Sequence, residues 1–318
     1  MSETLPSLHR KITKAKDLRS VVSTMKAMAA ANIGQYAKAA RALDDYYRAV
    51  QLGLSVCLRP ASGGERASPV IERKARRGAE LTGAVVFGSD QGLVGRFNEV
   101  IAEYAIQALS RQPARKKIWM VGERVQDYFS AVGLPPAGIF TPPASVNSIT
   151  SLVGEILVEI LAAEESETEP HRKGKGRGGS FHELYLFYNS SRSGLLHEPV
   201  SQRLLPLDET WQLSMTQIPW PTKNLPQVLG STTAAAQALV REYLFVSIFR
   251  ACAESLASEN TSRLAAMERA ERNIDQLRDE LQRTFYRLRQ DKIDEELFDV
   301  IAGVEAVTEA QQSSGRTD

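Results

Sequence analysis

The stretch "FGSDQGLVGRFN", Phe87 to Asn98, holds the residues whose types and spacing come nearest to chemistry. Glycines between a strand and a helix are where phosphates bind, because bare backbone N–H groups converge at a helix N-terminus. Gly88, Gly92 and Gly95 do not follow G-x-G-x-x-G, however, and no Lys-Ser/Thr pair follows them as in a P-loop. A tight turn delivering the chain into a helix explains Gly88, Asp90, Gly92 and Gly95 as well, and that structural reading is preferred to nucleotide binding. The four histidines, His9, His171, His182 and His197, form no i,i+4 pair and no HExxH-like motif. There is no G-x-S-x-G elbow. Asp90 and Glu183 fall near strand ends, where any α/β domain offers carboxylates. The expectation is a chain with no catalytic, cofactor-binding or metal site of its own, which suits a mechanical or scaffolding role.

Those residues must be held by something, and the placement of proline shows what. Of 14 prolines, all but Pro6 lie between Pro60 and Pro226. A proline inside a helix costs about 3 kcal/mol, so residues 7–59 and 227–318 are free to form two very long helices. Glycine follows the same partition: Gly34, Gly53, Gly230, Gly303 and Gly315 are the only ones in these flanks. Both flanks carry apolar residues in alternating steps of three and four. In the first, the stripe runs Leu8, Ile12, Ala15, Leu18, Val22, Met25 and onward to Leu54. In the last it includes Leu264, Met267, Ala270, Ile274 and Leu277 and reaches Leu288. Such spacing over many turns predicts a coiled coil. At 1.5 Å per residue the helices would run to roughly 70 Å and well over 100 Å. They are expected to pair with each other, antiparallel, because a folded middle joins the end of one to the start of the other. An ordinary helical bundle is the alternative, but it needs more helices of matching length.

The middle has a different texture. "LTGAVVF" (Leu81–Phe87), "KKIWMVG" (Lys116–Gly122), "ELYLFYN" (Glu183–Asn189) and "PVSQRLLPL" (Pro199–Leu207) read as strands, and "GIF" (Gly138–Phe140) as a short one. Helices are predicted over Asn98–Ser110, Glu123–Val132 and Ser148–Ala163. Strands alternating with helices indicate βαβ units and a mainly parallel sheet. The predicted fold class is therefore α/β: a long antiparallel coiled coil of the N- and C-terminal helices with a central Rossmann-like α/β domain. The segments are 1–58, 59–225 and 226–318, with flexible loops at 59–78 and 164–180. Within the second loop, "HRKGKGRGG" (His171–Gly179) is basic. A solvated loop explains it better than a nucleic-acid contact, because no aromatic residues are interleaved.

Composition excludes several function classes. The formal net charge is +1, so no bulk electrostatic case exists for nucleic acid or an anionic membrane. Two cysteines, Cys57 and Cys252, give neither a disulfide framework nor a metal spacing and suit a reducing compartment. No signal-peptide core is seen at the start, and no run approaches the roughly 18 apolar residues of a membrane span. A soluble, cytoplasmic protein is expected.

Four stretches carry a family pattern: "LHRKITKAKDLRSVVSTMKAMAAANI", "SDQGLVGRFN", "SENTSRLAAMERAERN" and "RQDKIDEELFDVIAGVEA". Together they resemble the γ subunit of F-type ATP synthases, the central rotor shaft, over nearly the whole length and in the same order of helix, α/β domain and helix. The departures are Ser23, where the family has lysine and Lys26 is shifted past Met25; Asp294, where it has threonine; and Val304, where it has alanine. They point to a divergent branch, an alternative rotary ATPase found beside a conventional one.

The resemblance implies a shaft inside a sleeve of α and β subunits, with the α/β foot resting with the ε subunit on the membrane ring of c subunits. It implies a peripheral location on the cytoplasmic side of a bacterial inner membrane, no cofactor, and no nucleotide bound by this chain. The sleeve contacts it implies are Met25, the Arg289–Gln290 pair, Glu296, Asp299 and the apolar tip residues Ile293, Leu297, Val300 and Val304. The spacing of that tip independently predicts an exposed apolar stripe, because the longer last helix overhangs the start of the first. In "LASENTSRLAAMERAERN" (Leu256–Asn273), small residues are expected to admit a partner helix closely, and the polar faces to form the surface of a moving part. A non-enzymatic coiled-coil scaffold or tether with an α/β head is the rival reading; it has no need of the Arg-Gln pair or the apolar tip.

Overall fold

The computed structural model describes residues 4–59, 81–166, 181–191, 197–224, 226–228 and 230–314. The expected linker beyond Arg59 and the basic loop His171–Gly179 lie outside the described residues. The chain divides into two compact units, one of Met28–Ala266 and one of Met1–Ala27 with Met267–Asp318.

The elements are α1 (Leu5–Leu58), β1 (Leu81–Phe87), α2 (Phe97–Ser110), β2 (Arg115–Val121), α3 (Gln126–Ala131), β3 (Gly138–Phe140), α4 (Val146–Ser166), β4 (Phe181–Ser190), β5 (Glu198–Leu205), α5 (Glu209–Thr216) and α6 (Thr232–Ser314). The helix expected over Glu123–Val132 is a 3-10 turn, Glu123–Val125, that runs into the short α3. Asp208 caps α5, accepting from Trp211 N at 2.9 Å.

In the Met28–Ala266 unit the sheet has the order β3-β2-β1-β4-β5. Three of its pairings are parallel, and β4–β5 is antiparallel. β1 is central, with every residue buried, as expected of a strand covered on both faces. Alternation then sorts the side chains. Ala84 and Val86 point with Ile118, Met120 and Phe187 into a core closed by α2 and α3. Val85 and Phe87 point with Trp119, Val121 and Leu186 into the larger core on the other face. α4, Tyr36 and Ala40 of α1, and the Ile248–Ala257 part of α6 complete that second core.

Two findings correct the sequence reading. By length and composition, Val146–Ala163 is apolar enough to cross a membrane, with mean hydropathy 1.5. Glu155 and Glu159 interrupt it, so no continuous apolar run marks it in the sequence. In the fold it is a core helix, with Ile149, Val153, Ile156 and Ile160 packed toward the sheet. The second correction concerns "LASENTSR". Ala251 to Asn260 are buried without a break, and Ser262 and Arg263 are buried too. This part of α6 is not the surface of a moving part; it is clad on all sides, and its small side chains are what allow close packing.

The helices run antiparallel within each unit. In Met28–Ala266, Asn32 Nδ2 donates to Asn260 Oδ1 at 3.4 Å, and Tyr46 OH donates to Glu242 at 2.8 Å. In the other unit Lys26 meets Glu271 at 2.6 Å, and the His9 and Phe285 rings lie 6.3 Å apart. Of the stripe read on α1, Leu8, Ala15 and Val22 are buried, but Leu18 is 56% exposed.

The packing of α4 is testable by urea unfolding. Ile156→Ala should lower stability by about 2–5 kcal/mol, whereas Val158→Ser on the exposed side should stay within about 0.5 kcal/mol. Equal effects at both positions would contradict a one-sided core helix.

Candidate functional site

The turn after β1 is built by interlocking two strand ends. Gly88 N donates to Val121 O at 2.7 Å, and Arg124 N donates to Ser89 O at 3.1 Å. Ser89 N donates to Asn98 Oδ1 at 2.9 Å, while Asn98 Nδ2 donates back to Ser89 Oγ at 2.9 Å. Both amides at the strand end are thus engaged by the chain's own atoms rather than turned toward a phosphate. Asp90 accepts from Glu123 N at 2.8 Å, and its carbonyl accepts from Arg124 Nε at 3.1 Å. The close approach explains the glycines at the crossing. A Cβ on Gly88 would lie 2.7 Å from Val125 Cγ2, and one on Gly122, where φ is +98°, would lie 2.7 Å from Ser89 N. Further along, Gly95 has φ 61°, and a Cβ on Gly92 would meet the Arg124 guanidinium at 3.4 Å. Leu93, with φ 63°, adopts the left-handed region without being glycine.

In an open α/β sheet, ligands bind outside the carboxyl ends of the strands, where the strand order reverses. That point here lies between β1 and β4. Asn189, near the end of β4, donates to Phe97 O at 3.0 Å. α6 supplies the other groups. Ser262 Oγ lies 3.0 Å from His197 Nδ1, and the His197 ring meets Phe97 edge-on at 6.2 Å. Arg263 donates to Glu259 at 2.6 Å, both side chains being nearly buried. Burial pushes the Glu259 carboxyl up; Arg263 opposes this, and the Asp90 charge adds to it. Burial, and then the Arg96 charge, push His197 down from 6.5. The sequence reading missed this cluster, although the i,i+4 spacing of Glu259 and Arg263 is a legible pairing signal.

The residues expected to meet partners stand elsewhere. Every residue from Arg289 to Glu305 is exposed. Ile293, Leu297, Val300 and Val304 are each more than half exposed, and their spacing places them on one helix face. Ile301 adjoins them. Phe298, 68% exposed, lies off that face and was not singled out from the sequence. Arg289, Gln290, Glu296 and Asp299 are all solvent-facing, and Lys292 reaches Glu296 at 4.0 Å. Met25, on α1, is half-buried. Its neighbour Ser23, at the family's lysine position, borders an open groove with Lys16, Arg19 and Arg278. The structure therefore gathers the apolar tip residues on one helix end and leaves Met25 on a different helix.

Comparison with known proteins places the chain among its relatives. The family model described as ATP synthase matches residues 4–307. The chain is 26% identical to an ATP synthase gamma chain of Brevibacillus brevis, covering 96% of this chain and 99% of that one. It is 27% identical to one of Anaeromyxobacter sp., covering 95% and 99%. Its fold is similar to a chain of the Euglena gracilis mitochondrial ATP synthase OSCP/F1/c-ring structure, with TM-score 0.64, 18% identity and coverage of 99% and 96%. A chain of the Tetrahymena thermophila central stalk and c-ring structure gives TM-score 0.52 at 19% identity, covering 79% and 99%.

Two outcomes follow from the geometry. Gly122→Ala should destabilise by about 1–3 kcal/mol, because it combines backbone strain with a clash, while Gly154→Ala, in a helix with open space around it, should stabilise by about 0.5–1 kcal/mol. A neutral Gly122→Ala would contradict the interlocked turn. For His197, a depressed folded pKa means that its contribution is present above the unfolded value and is lost as pH falls through the folded one. His197→Gln, which keeps a partner for Ser262, should therefore flatten the decline in stability between about pH 7 and pH 5. Unchanged slopes in urea titrations would refute this.

Proposed function

The chain belongs to the ATP synthase γ family, and on that premise we propose that it is the central-stalk subunit of an F-type ATP synthase. It is the shaft that couples ion-driven rotation of a membrane ring to ATP synthesis or hydrolysis in an α/β hexamer. The observation that carries this reading is the end of α6, exposed throughout Arg289–Glu305 with an apolar stripe along one face. A contiguous apolar face of this kind marks a protein contact, and a shaft tip turning in an apolar collar needs that type of surface.

In this reading the chain holds no catalytic group, and its contacts with the α and β subunits are Met25, Arg289, Gln290, Glu296, Asp299 and the stripe Ile293, Leu297, Val300 and Val304. Arg289 offers a planar fork suited to a carboxylate of the β subunit. Asp294 stands next to Glu295 and Glu296 and makes this side of the shaft more acidic, matched by a basic patch on the β subunit. Segments 1–58 and 226–318 form the shaft and 59–225 the foot, which meets the ε subunit and the c ring. The location is peripheral, on the cytoplasmic side of a bacterial plasma membrane.

Reconstitution with α and β subunits and the membrane sector tests the reading. The wild-type chain should support ATP-driven ion pumping. Ile293→Ser/Leu297→Ser/Val300→Ser should leave the stability of the chain within about 0.5 kcal/mol per exposed site while lowering pumping per ATP hydrolysed. Normal coupling in the triple variant would remove the tip from the mechanism, and failure of the wild-type chain to assemble would overturn the rotor reading. Asp294→Thr should weaken the salt dependence of the ATPase; identical salt profiles would remove the acidic-surface part alone.

A further inference from the structure

In the unit of Met1–Ala27 and Met267–Asp318, burial shows which residues face the helix–helix seam. On α1 they include Leu8, Ile12, Ala15, Arg19, Val22 and Lys26, in steps of four and three, with Ser23 and Met25 half-buried beside them. On α6 the same alternation runs Met267, Glu271, Ile274, Arg278, Leu281 and Phe285. The apolar residues that hydropathy favours at two of these places, Leu18 and Leu277, are 56% and 50% exposed. Two of the six positions on each helix are therefore charged, Arg19 and Lys26 on α1 and Glu271 and Arg278 on α6.

These charges answer one another across the seam. Lys26 Nζ lies 2.6 Å from Glu271. Arg19 reaches the same Glu271 at 3.6 Å and Asp275 at 2.7 Å. Within α6 itself, Arg278 reaches Asp275 at 3.6 Å and Asp279 at 3.7 Å. Glu271 is the most enclosed of the set, its side chain 17% exposed. The apolar seam residues between them discriminate little: Ala15 and Val22 are small, so they fit several registers. The charges do not. If α6 slides one heptad, about 10 Å, in one direction, Lys26 faces Arg278. The opposite slide carries Glu271 from Lys26 to Arg19 and leaves Lys26 facing Leu264, without an acid. A polar residue at a seam position is the best-attested means by which paired helices select one register, at some expense in stability.

We propose that Arg19 and Lys26, answered by Glu271 and Asp275, fix the antiparallel register of α1 and α6 in this unit. Through the register they also set how far the Ile293–Val304 stripe projects beyond the start of α1. That consequence rests on the rotor reading, whereas the register itself does not.

Spin labels at introduced cysteines, Ser20→Cys and Gln276→Cys, both exposed, report the register in the full chain; the native thiols Cys57 and Cys252 are buried. The otherwise native chain should give one distance. Glu271→Lys should split it, adding a longer component, because the labels face each other across the seam and a slide of about 10 Å along the axis draws them apart; Lys26→Glu added to Glu271→Lys should restore the single distance. Arg19→Gln/Lys26→Gln, which removes charge without creating repulsion, should also split it. A single unshifted distance in Arg19→Gln/Lys26→Gln, or failure of Lys26→Glu to restore the Glu271→Lys chain, overturns the proposal. Because the measurement needs no ATPase subunit, it is decided separately from the rotor reading.

Discussion

The arrangement of the Met28–Ala266 unit depends on one helix segment having no exposed side. Ala251 to Asn260 of α6 meet neighbours all the way around, with the sheet and α4 contributing to the same core as α1. A helix enclosed in this way cannot carry large side chains in every direction, because packing at interior density leaves no room for them. Hence the run of alanine, serine and cysteine. It also cannot avoid polar atoms entirely where it passes the carboxyl edge of the sheet. There Glu259 pairs with Arg263 within the helix, and Ser262 meets His197. Buried charges of this kind are tolerable only when paired.

The same crossing accounts for the glycine-rich turn. The sheet reverses its strand order between β1 and β4, the place where such folds ordinarily take a ligand. In this chain the strand ends are bound to each other through Gly88, Ser89 and Gly122, and to Asn98. The next layer is α6 itself. The glycines serve backbone contact, and the polar groups nearby serve attachment of the helix to the sheet.

In the other unit the chain makes the opposite choice. Its seam sets charged residues among apolar ones, and Arg289–Glu305 beyond it are exposed. Enclosure holds α6 against the sheet; paired charges align it with α1; exposure leaves its end available to partners. One continuous helix thus meets three different surroundings, and its side chains change character accordingly.

Local sequence determined a good deal. Proline and glycine placement marked both long helices, because a single interior proline would break either one. β-branched runs marked the strands, and the spacing of Ile293, Leu297, Val300 and Val304 marked the tip, since each signal arises within a few neighbouring residues. The family lettering of "SENTSR" and "RQDKIDEEL" was legible for the same reason. What only the tertiary structure decided was which side each residue faces. Hydropathy placed Leu18 and Leu277 in the seam, yet Arg19 and Arg278 occupy it; Arg19 does so because it gains acids across the interface, Glu271 and Asp275, that no local pattern reveals. Hydropathy likewise left Ser258 and Glu259 on a surface, yet they are buried, because the sheet that covers them is assembled from strands remote in the chain. The burial of a polar residue depends on partners distant in sequence, and that is why the fold, rather than the segment, decides it.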